Sequence, residues 1–194
     1  MAWRPAIEEA VISNKDFNGI VIRPGCVYGR SGSLTGMLFE EATKAAQNGH
    51  EAFAWPATPG KRWTTIHQDD VAELFLRVGE AVGSHYSLVH QWQQRSYISI
   101  DMQAPTTKHT VFDAVNAASE SVDDILTAVG GLVGVKYRYT EIPPGILQGM
   151  DLQTLSKPSL GRAMLGWVPR KKSLVDGLPT YYKAWKATQD RSNV

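Results

Sequence analysis

The side chains able to do covalent or acid–base chemistry are few and scattered. Cys26 is the one cysteine, and no base can be placed beside it, so it reads as a small buried hydrophobe rather than a nucleophile. A lone cysteine excludes an intramolecular disulfide and an all-cysteine metal site, which fits a reducing, cytoplasmic compartment. The five histidines, His50, His67, His85, His90 and His109, form no HExxH and no pair on one helical face, so no metal centre is expected. Asp70, with Glu73 three residues on, has the form of a capping box. This assigns Asp70 to opening a helix rather than to catalysis. His67 beside that cap is either a substrate contact or a hydrogen-bonded structural residue. Arg62 is the candidate for meeting an anionic substrate group, against the solvated role an arginine before a strand ordinarily has.

The elements that must position these residues follow from apolar spacing. Ala6, Ile7, Ala10 and Val11 recur at helical intervals, and Asn14 with Asn18-Gly19 supplies a stop. Gly19-Ile20-Val21-Ile22 is continuously apolar and β-branched, the pattern of a strand buried on both faces of a parallel sheet, with Pro24-Gly25 ending it. Leu34, Met37, Leu38, Ala42 and Ala45 mark one face of a helix closed by Asn48-Gly49. Trp55-Pro56 to Pro59-Gly60 reads as turn, and Arg62 to Ile66 as a short extended piece. The Asp70 helix carries Val71, Leu74, Phe75 and Val78. Periodicity is lost between Gly83 and His109, which reads as an irregular insertion. A strand follows at Thr110 to Val115, then a helix opened by Ser121 with Val122, Ile125, Leu126 and Val129 inward. Lys136 to Thr140 suits a half-exposed strand, and Leu174, Leu178, Tyr181, Tyr182 and Trp185 lie on a last helix. Trp167 and Trp185 read as core or interface aromatics.

Composition narrows the function classes. The 194 residues carry 20 Lys+Arg against 19 Asp+Glu, so no broad basic field draws in nucleic acid or anionic lipid. No apolar run of about 18 residues is present, and Met1 to Glu9 lacks the apolar stretch of a secretion signal, so no membrane span is expected.

Three stretches, in order, resemble the NAD(P)-dependent epimerase/dehydratase family, the extended and atypical short-chain dehydrogenase/reductases. Ile20 to Gly29 looks like the family's strand ending in R-P-x-x-V-Y-G. Thr65-Ile66-His67-Gln68-Asp69-Asp70-Val71-Ala72 looks like its H-x-D-D-V-A element. Leu165-Gly166-Trp167-Val168-Pro169-Arg170, then Ser173 to Leu178, looks like its L-G-W-x-P-R and S-L-x-D-G-L close. The resemblance implies an α/β fold, the C-terminal part of a doubly wound parallel (Rossmann-like) sheet with a small α+β substrate lobe. Ligands of such sheets lie outside the carboxyl ends of the strands. It implies that Pro24, Gly25 and Cys26 hold the nicotinamide end of NAD or NADP, Gly25 by admitting a backbone closely. Val27 and Tyr28 would line the substrate pocket, with Arg62 and His67 beside it.

The resemblance is incomplete in its chemistry. The family's glycine-rich phosphate turn follows a strand and opens a helix, whereas Gly29 to Gly32 comes after the late strand and Gly130 to Gly134 at a helix end. The family's acid/base Tyr and its Lys four residues on have that spacing here only at Tyr182 and Lys186, on the terminal helix, where the match is coincidental. Counting back from the R-P strand, Arg4 takes the Lys position, with Glu8 at the Glu position four residues on. Arginine can hold a ribose hydroxyl or phosphate but is a poor proton carrier.

The chain is therefore expected to be one partial domain. Residues 1–82 would supply C-terminal Rossmann-like strands and helices, 83–109 an insertion, and 110–194 the remaining units and the substrate lobe. The expected function is NAD(P)-dependent oxidoreductase or epimerase chemistry on a small carbonyl, alcohol or sugar-nucleotide substrate, weak or absent in this chain alone. The alternative is a non-catalytic binding or assembly module, self-associating through an exposed sheet edge.

Overall fold

The computed structural model describes residues 3–17, 19–30, 33–92, 110–145, 148, 151 and 155–192. The first helix, α1 (Trp3–Ile12), leads into β1 (Ile20–Pro24), and the two are joined by Arg23, whose Nε donates to Glu8 at 2.7 Å. β1 pairs in parallel with β6 (Thr110–Ala114), Ile20 opposite Thr110 and Pro24 opposite Ala114. Contrary to the expectation of a strand buried on both faces, β1 is half-buried, with Arg23 and Pro24 exposed. The reason is that β6 is its one strand partner among the described residues.

Pro24-Gly25 also does not end the extended run. After one residue the chain resumes as β2 (Cys26–Tyr28), now parallel to β5 (Thr65–His67). Successive backbone N–H groups point to opposite edges of a strand. Gly25 N–H accordingly donates to Ala114 on one side at 3.1 Å, and Cys26 N–H to Thr64 on the other at 2.7 Å. The chain changes partner at this turn, and Pro24 stands where its missing donor is not needed by β6.

A larger core lies in the lobe built by α2 (Leu34–Gln47), β3 (Ala52–Pro56), α4 (Val122–Val133), β8 (Lys136–Thr140) and a last helix, α6 (Leu174–Ser192). β3 was hidden in the turn-rich stretch: Phe53 and Trp55 point inward between half-buried alanines, and its five residues pair in parallel with β8. Leu38, Phe39, Phe53, Ile125, Leu126, Leu174 and Trp185 are buried together. Ser121 caps α4 as expected, accepting from Asp124 N–H at 3.4 Å, and its preceding residue Glu120 pairs with β4 (Arg62–Trp63) as the short strand β7 (Glu120–Ser121).

A smaller core gathers Ile66, Leu74, Val78, Phe112, Ala114 and Trp167 under α3 (Gln68–Trp92) and α5 (Ser159–Leu165). Full burial of one such aliphatic or phenylalanine side chain stabilises by roughly 1.5–3 kcal/mol. Both cores draw on residues 1–82 and on 110–194, so the two units interleave along the chain. α3 continues as helix to Trp92, into the stretch expected to be irregular from Gly83; residues 93–109 of that stretch lie outside the described residues.

The start of α3 corrects the capping expectation. The helix begins at Gln68, two residues before Asp70. The Asp70 carboxylate instead accepts the N–H groups of Arg170 and Lys171, both at 3.1 Å, while its carbonyl accepts from Trp167 Nε1 at 3.1 Å. Glu73 does not reach back to a cap; it accepts from Arg77 at 2.8 and 3.0 Å, and Arg77 also donates to the Leu165 carbonyl. A carboxylate beside a helix start answers whichever N–H groups tertiary structure brings, and here the L-G-W-x-P-R segment brings two.

Trp167 makes the close fit of α5 testable. A Cβ on Gly161 would stand 2.8 Å from the Trp167 ring, which is fully buried and pinned by its indole bond, whereas a Cβ on Gly131 of α4 would meet nothing within 4 Å. Alanine gains about 1 kcal/mol over glycine in a helix interior, and overpacking costs about 1–3 kcal/mol. Gly161→Ala is expected to lower the stability measured by urea unfolding by up to about 2 kcal/mol, and Gly131→Ala to raise it by about 0.5–1 kcal/mol.

Candidate functional site

The carboxyl ends of the parallel strands meet the lobe at the Pro24 to Tyr28 turn, and a chain of buried hydrogen bonds crosses the junction there. Tyr28, fully buried, donates through its hydroxyl to the Lys172 carbonyl at 2.7 Å, and Tyr181 donates to the same carbonyl at 2.8 Å. Asn116, two residues past β6, donates through Nδ2 to Tyr28 Oη and to Thr65 Oγ1, each at 3.1 Å. Thr65 donates its own hydroxyl hydrogen bond to Glu120. The other donors to Glu120 are the first N–H groups of α6, Leu174 at 3.1 Å and Val175 at 2.8 Å. One carboxylate therefore satisfies two of the orphan donors that every helix start leaves, and does so from a strand 54 residues away.

His67 ends β5 and caps α3. Its Nδ1 accepts from Asp69 N–H at 3.1 Å, so in its neutral form Nε2 carries the proton, and this edge lies against Gly29. The ring packs edge-on to Tyr28 at 5.4 Å and against Tyr181 at 5.3 Å. Burial holds the imidazole pKa below its ordinary value, although Asp69 and Asp70 pull the other way. Asp69 in turn joins Arg30 and Lys171, each at 3.1 Å, tying the loop after β2 to the segment before α6.

The remaining expected site residues are placed as follows. Gly25 is required by the chain itself: a Cβ there would stand 2.4 Å from the Thr64 carbonyl oxygen and 3.3 Å from Val115. The backbone that approaches it closely is that of Thr64. Cys26 is half-buried, and burial, helped by Glu120, pushes its thiol pKa up to about 12, which makes it unreactive as a nucleophile. Burial likewise pushes the Tyr28 phenol well above its ordinary range. Val27 is half-buried on β2 and packs against the smaller core. Arg62 is exposed, but its guanidinium donates to the Ser119 hydroxyl at 2.9 Å and to the Ser119 carbonyl. The Arg4 backbone lies in α1, and its side chain lies outside the described residues. Tyr182, of the coincidental Tyr–Lys pair, stacks on Phe39 and Trp185 in the lobe.

The structure thus brings Pro24 through Tyr28 and His67 together, and holds Arg62 to the β7 side. Asn116 and Glu120 were missed. The one local signal for Asn116 was an amide in the apolar run Ala114-Val115-Asn116-Ala117; Glu120 had none, since its partners are distant in sequence. Among the described residues no group of three or more His, Cys, Asp and Glu side chains could hold a metal ion, and no helix is long and apolar enough to cross a membrane.

No protein-family model and no curated protein matches the chain. Solved structures do. UDP-glucuronic acid 4-epimerase from Bacillus cereus, in complex with UDP-glucuronic acid and NAD, superposes with a TM-score of 0.61 at 16% identity, covering 95% of this chain and 50% of that one. The fold is that of the NAD-dependent sugar-nucleotide epimerases. ADP-L-glycero-D-manno-heptose-6-epimerase from Helicobacter pylori gives 0.60 at 16% identity, over 95% of this chain and 50% of its own. UDP-glucose 4-epimerase from Thermotoga maritima, with UDP-glucose, gives 0.56 at 17% identity, over 88% and 46%. The chain spans about half the length of these epimerases, so the partial Rossmann-like fold expected from the three motifs is the fold observed.

The neutral His67 has a pH consequence. The fold disfavours its protonation, so the stability it confers is fully present above about pH 6.5, the unfolded value, and is lost as pH falls below it. The urea midpoint is expected to drop between pH 7.5 and 5.5. His67→Asn, which keeps a capping acceptor and removes the titration, is expected to flatten that drop; a variant with an unchanged slope would refute the assignment.

Proposed function

We propose that this chain forms the nicotinamide-end turn and substrate lobe of an NAD(P)-dependent oxidoreductase or epimerase. Its substrate class would be a small carbonyl, alcohol or sugar nucleotide in the cytoplasm, with no role for nucleic acid. The observation that carries this reading is the epimerase fold together with a rigid turn at the carboxyl end of β1, where ligands of doubly wound sheets bind.

The turn can be tested against a nicotinamide carboxamide from its hydrogen bonds. Gly25 and Cys26 have spent their N–H groups on Ala114 and Thr64, and Pro24 has none. With Cys26 held in the parallel ladder with Thr65, the turn offers a ligand the carbonyl oxygens of Pro24 and Gly25, which suit the NH2 of a carboxamide and not its oxygen. A bound nicotinamide would supply hydride transfer. What this chain's own residues contribute is positional: Gly25 and Thr64 fix the turn, Val27 anchors β2 to the smaller core on one face, and Cys26 and Tyr28 lie on the other face, where Tyr28 packs against His67. Arg4, at the position of the family's lysine, would hold a ribose hydroxyl.

A second reading, a non-catalytic binding or assembly module of the same fold, is favoured by one observation. The titratable groups nearest the turn, Cys26, Tyr28 and His67, are all biased to their uncharged forms, so none of them is tuned as a proton carrier near neutrality. Saturation-transfer NMR with NADH separates the two readings. The expected result is weak binding, with saturation reaching the nicotinamide protons and not the adenine protons, because the chain has no glycine-rich phosphate cradle. Micromolar binding of the whole dinucleotide would overturn the missing cradle, and no transfer to nicotinamide at millimolar NADH would favour the module.

A further inference from the structure

The loop after β6 and the start of α5 border an open cavity of about 410 Å3 that the turn does not use. Ala117, Lys157, Pro158, Ser159, Arg162 and Ala163 line it. Two of the six are cations, and none is an acid. Neither Lys157 nor Arg162, both exposed, pairs with a carboxylate among the described residues, as is true also of Lys61 and Arg138; what distinguishes the two is that they border one hollow. Two like charges turned to one hollow without a counter-charge repel each other, and an anion between them removes that repulsion.

The walls are set in advance. Arg162 follows Gly161, whose backbone is pressed against the buried Trp167 and whose carbonyl accepts from Trp167 N–H at 3.0 Å. On the facing side Ala117 follows Asn116, anchored by its bonds to Tyr28 and Thr65. Pro158 is buried and has few conformations to lose. The volume is that of a small-molecule pocket and far above what a bare phosphate fills. Pro158, Ala117 and Ala163 add apolar surface beside the charged side.

We propose that this cavity binds a small phosphorylated organic molecule of sugar-phosphate size. Arg162 and Lys157 take the phosphate, Arg162 with its planar fork and Lys157 as a point charge; Ser159 supplies a hydroxyl, and the apolar wall takes the carbon skeleton. The site stands on residues separate from the nicotinamide-end turn and does not depend on that reading.

The test is a titration of the isotope-labelled full chain, followed by amide NMR shifts, with glucose 1-phosphate, inorganic phosphate and glucose as probes. Expected are shifts at Ala117, Ser159, Arg162 and Ala163, saturating with glucose 1-phosphate at lower concentration than with phosphate, and absent with glucose. The Lys157→Ala/Arg162→Ala variant removes two exposed side chains with no partners. It is expected to keep the urea midpoint and to bind glucose 1-phosphate at least tenfold more weakly, as is the unaltered chain at high salt. Three results would each overturn the site: no shifts at these amides, affinity unchanged in the variant, or equal response to phosphate and glucose 1-phosphate, which marks an adventitious ion only.

Discussion

The buried polar chain running from Asn116 through Tyr28 and Thr65 to Glu120 is the constraint on which the rest of the structure depends. It crosses from the β6 end of the small parallel sheet to the first turn of α6 in the lobe. Each link is directional. Because Tyr28 donates to Lys172 and Thr65 to Glu120, both oxygens are left to accept, which fixes which end of the Asn116 amide faces them. Its Oδ1 is then turned away and has no partner, as do the buried indole N–H groups of Trp55 and Trp63. Leaving a buried donor or acceptor unsatisfied costs about 1–3 kcal/mol, so slipping one core against the other would break several such bonds together. Hydrophobic burial makes two cores, and these hydrogen bonds set their mutual register.

The same chain sets the chemistry of the junction. The residues that could carry protons near the turn are those whose burial the network enforces. Tyr28 is a fixed phenol, His67 spends its acceptor on the start of α3, and Cys26 is half-buried beside β5. The junction is built to hold a shape. Its exposed chemistry lies at its margins, at the exposed Pro24 of the turn on one side and the cations Lys157 and Arg162 of the α5 cavity on the other.

Much of this could be read from residue order and part could not. The strand at Ile20, the Ser121 cap and the lobe helices follow from local periodicity and spacing, and the fold that the family resemblance of the three motifs implied is the one observed. β3 alternates small and aromatic residues at the strand period over Ala52-Phe53-Ala54-Trp55-Pro56 and escaped because it is short and its last two residues, Trp55-Pro56, read as the opening of the turn that runs to Pro59-Gly60. The Asp70 capping box failed for a different reason: the helix starts two residues earlier, at Gln68, with His67 as its cap, and the Arg170 and Lys171 N–H groups a hundred residues on take the Asp70 carboxylate. Glu120 carries no local signal, and Asn116 only that of an amide in an apolar run, since their roles exist only once β5, β6 and α6 have met. Gly25 was singled out for the correct physical property, close approach, while the partner proved to be Thr64 of the same chain.

Whether the polar chain couples the two cores can be measured by native-state amide hydrogen exchange at Ile66, in the smaller core, and Leu126, in the larger. With coupling, both amides open with the same free energy, and Asn116→Ala lowers both by the same amount. If Ile66 opens far more readily than Leu126, or Asn116→Ala lowers one and leaves the other unchanged, the two cores are independent and the polar chain does not hold the fold together.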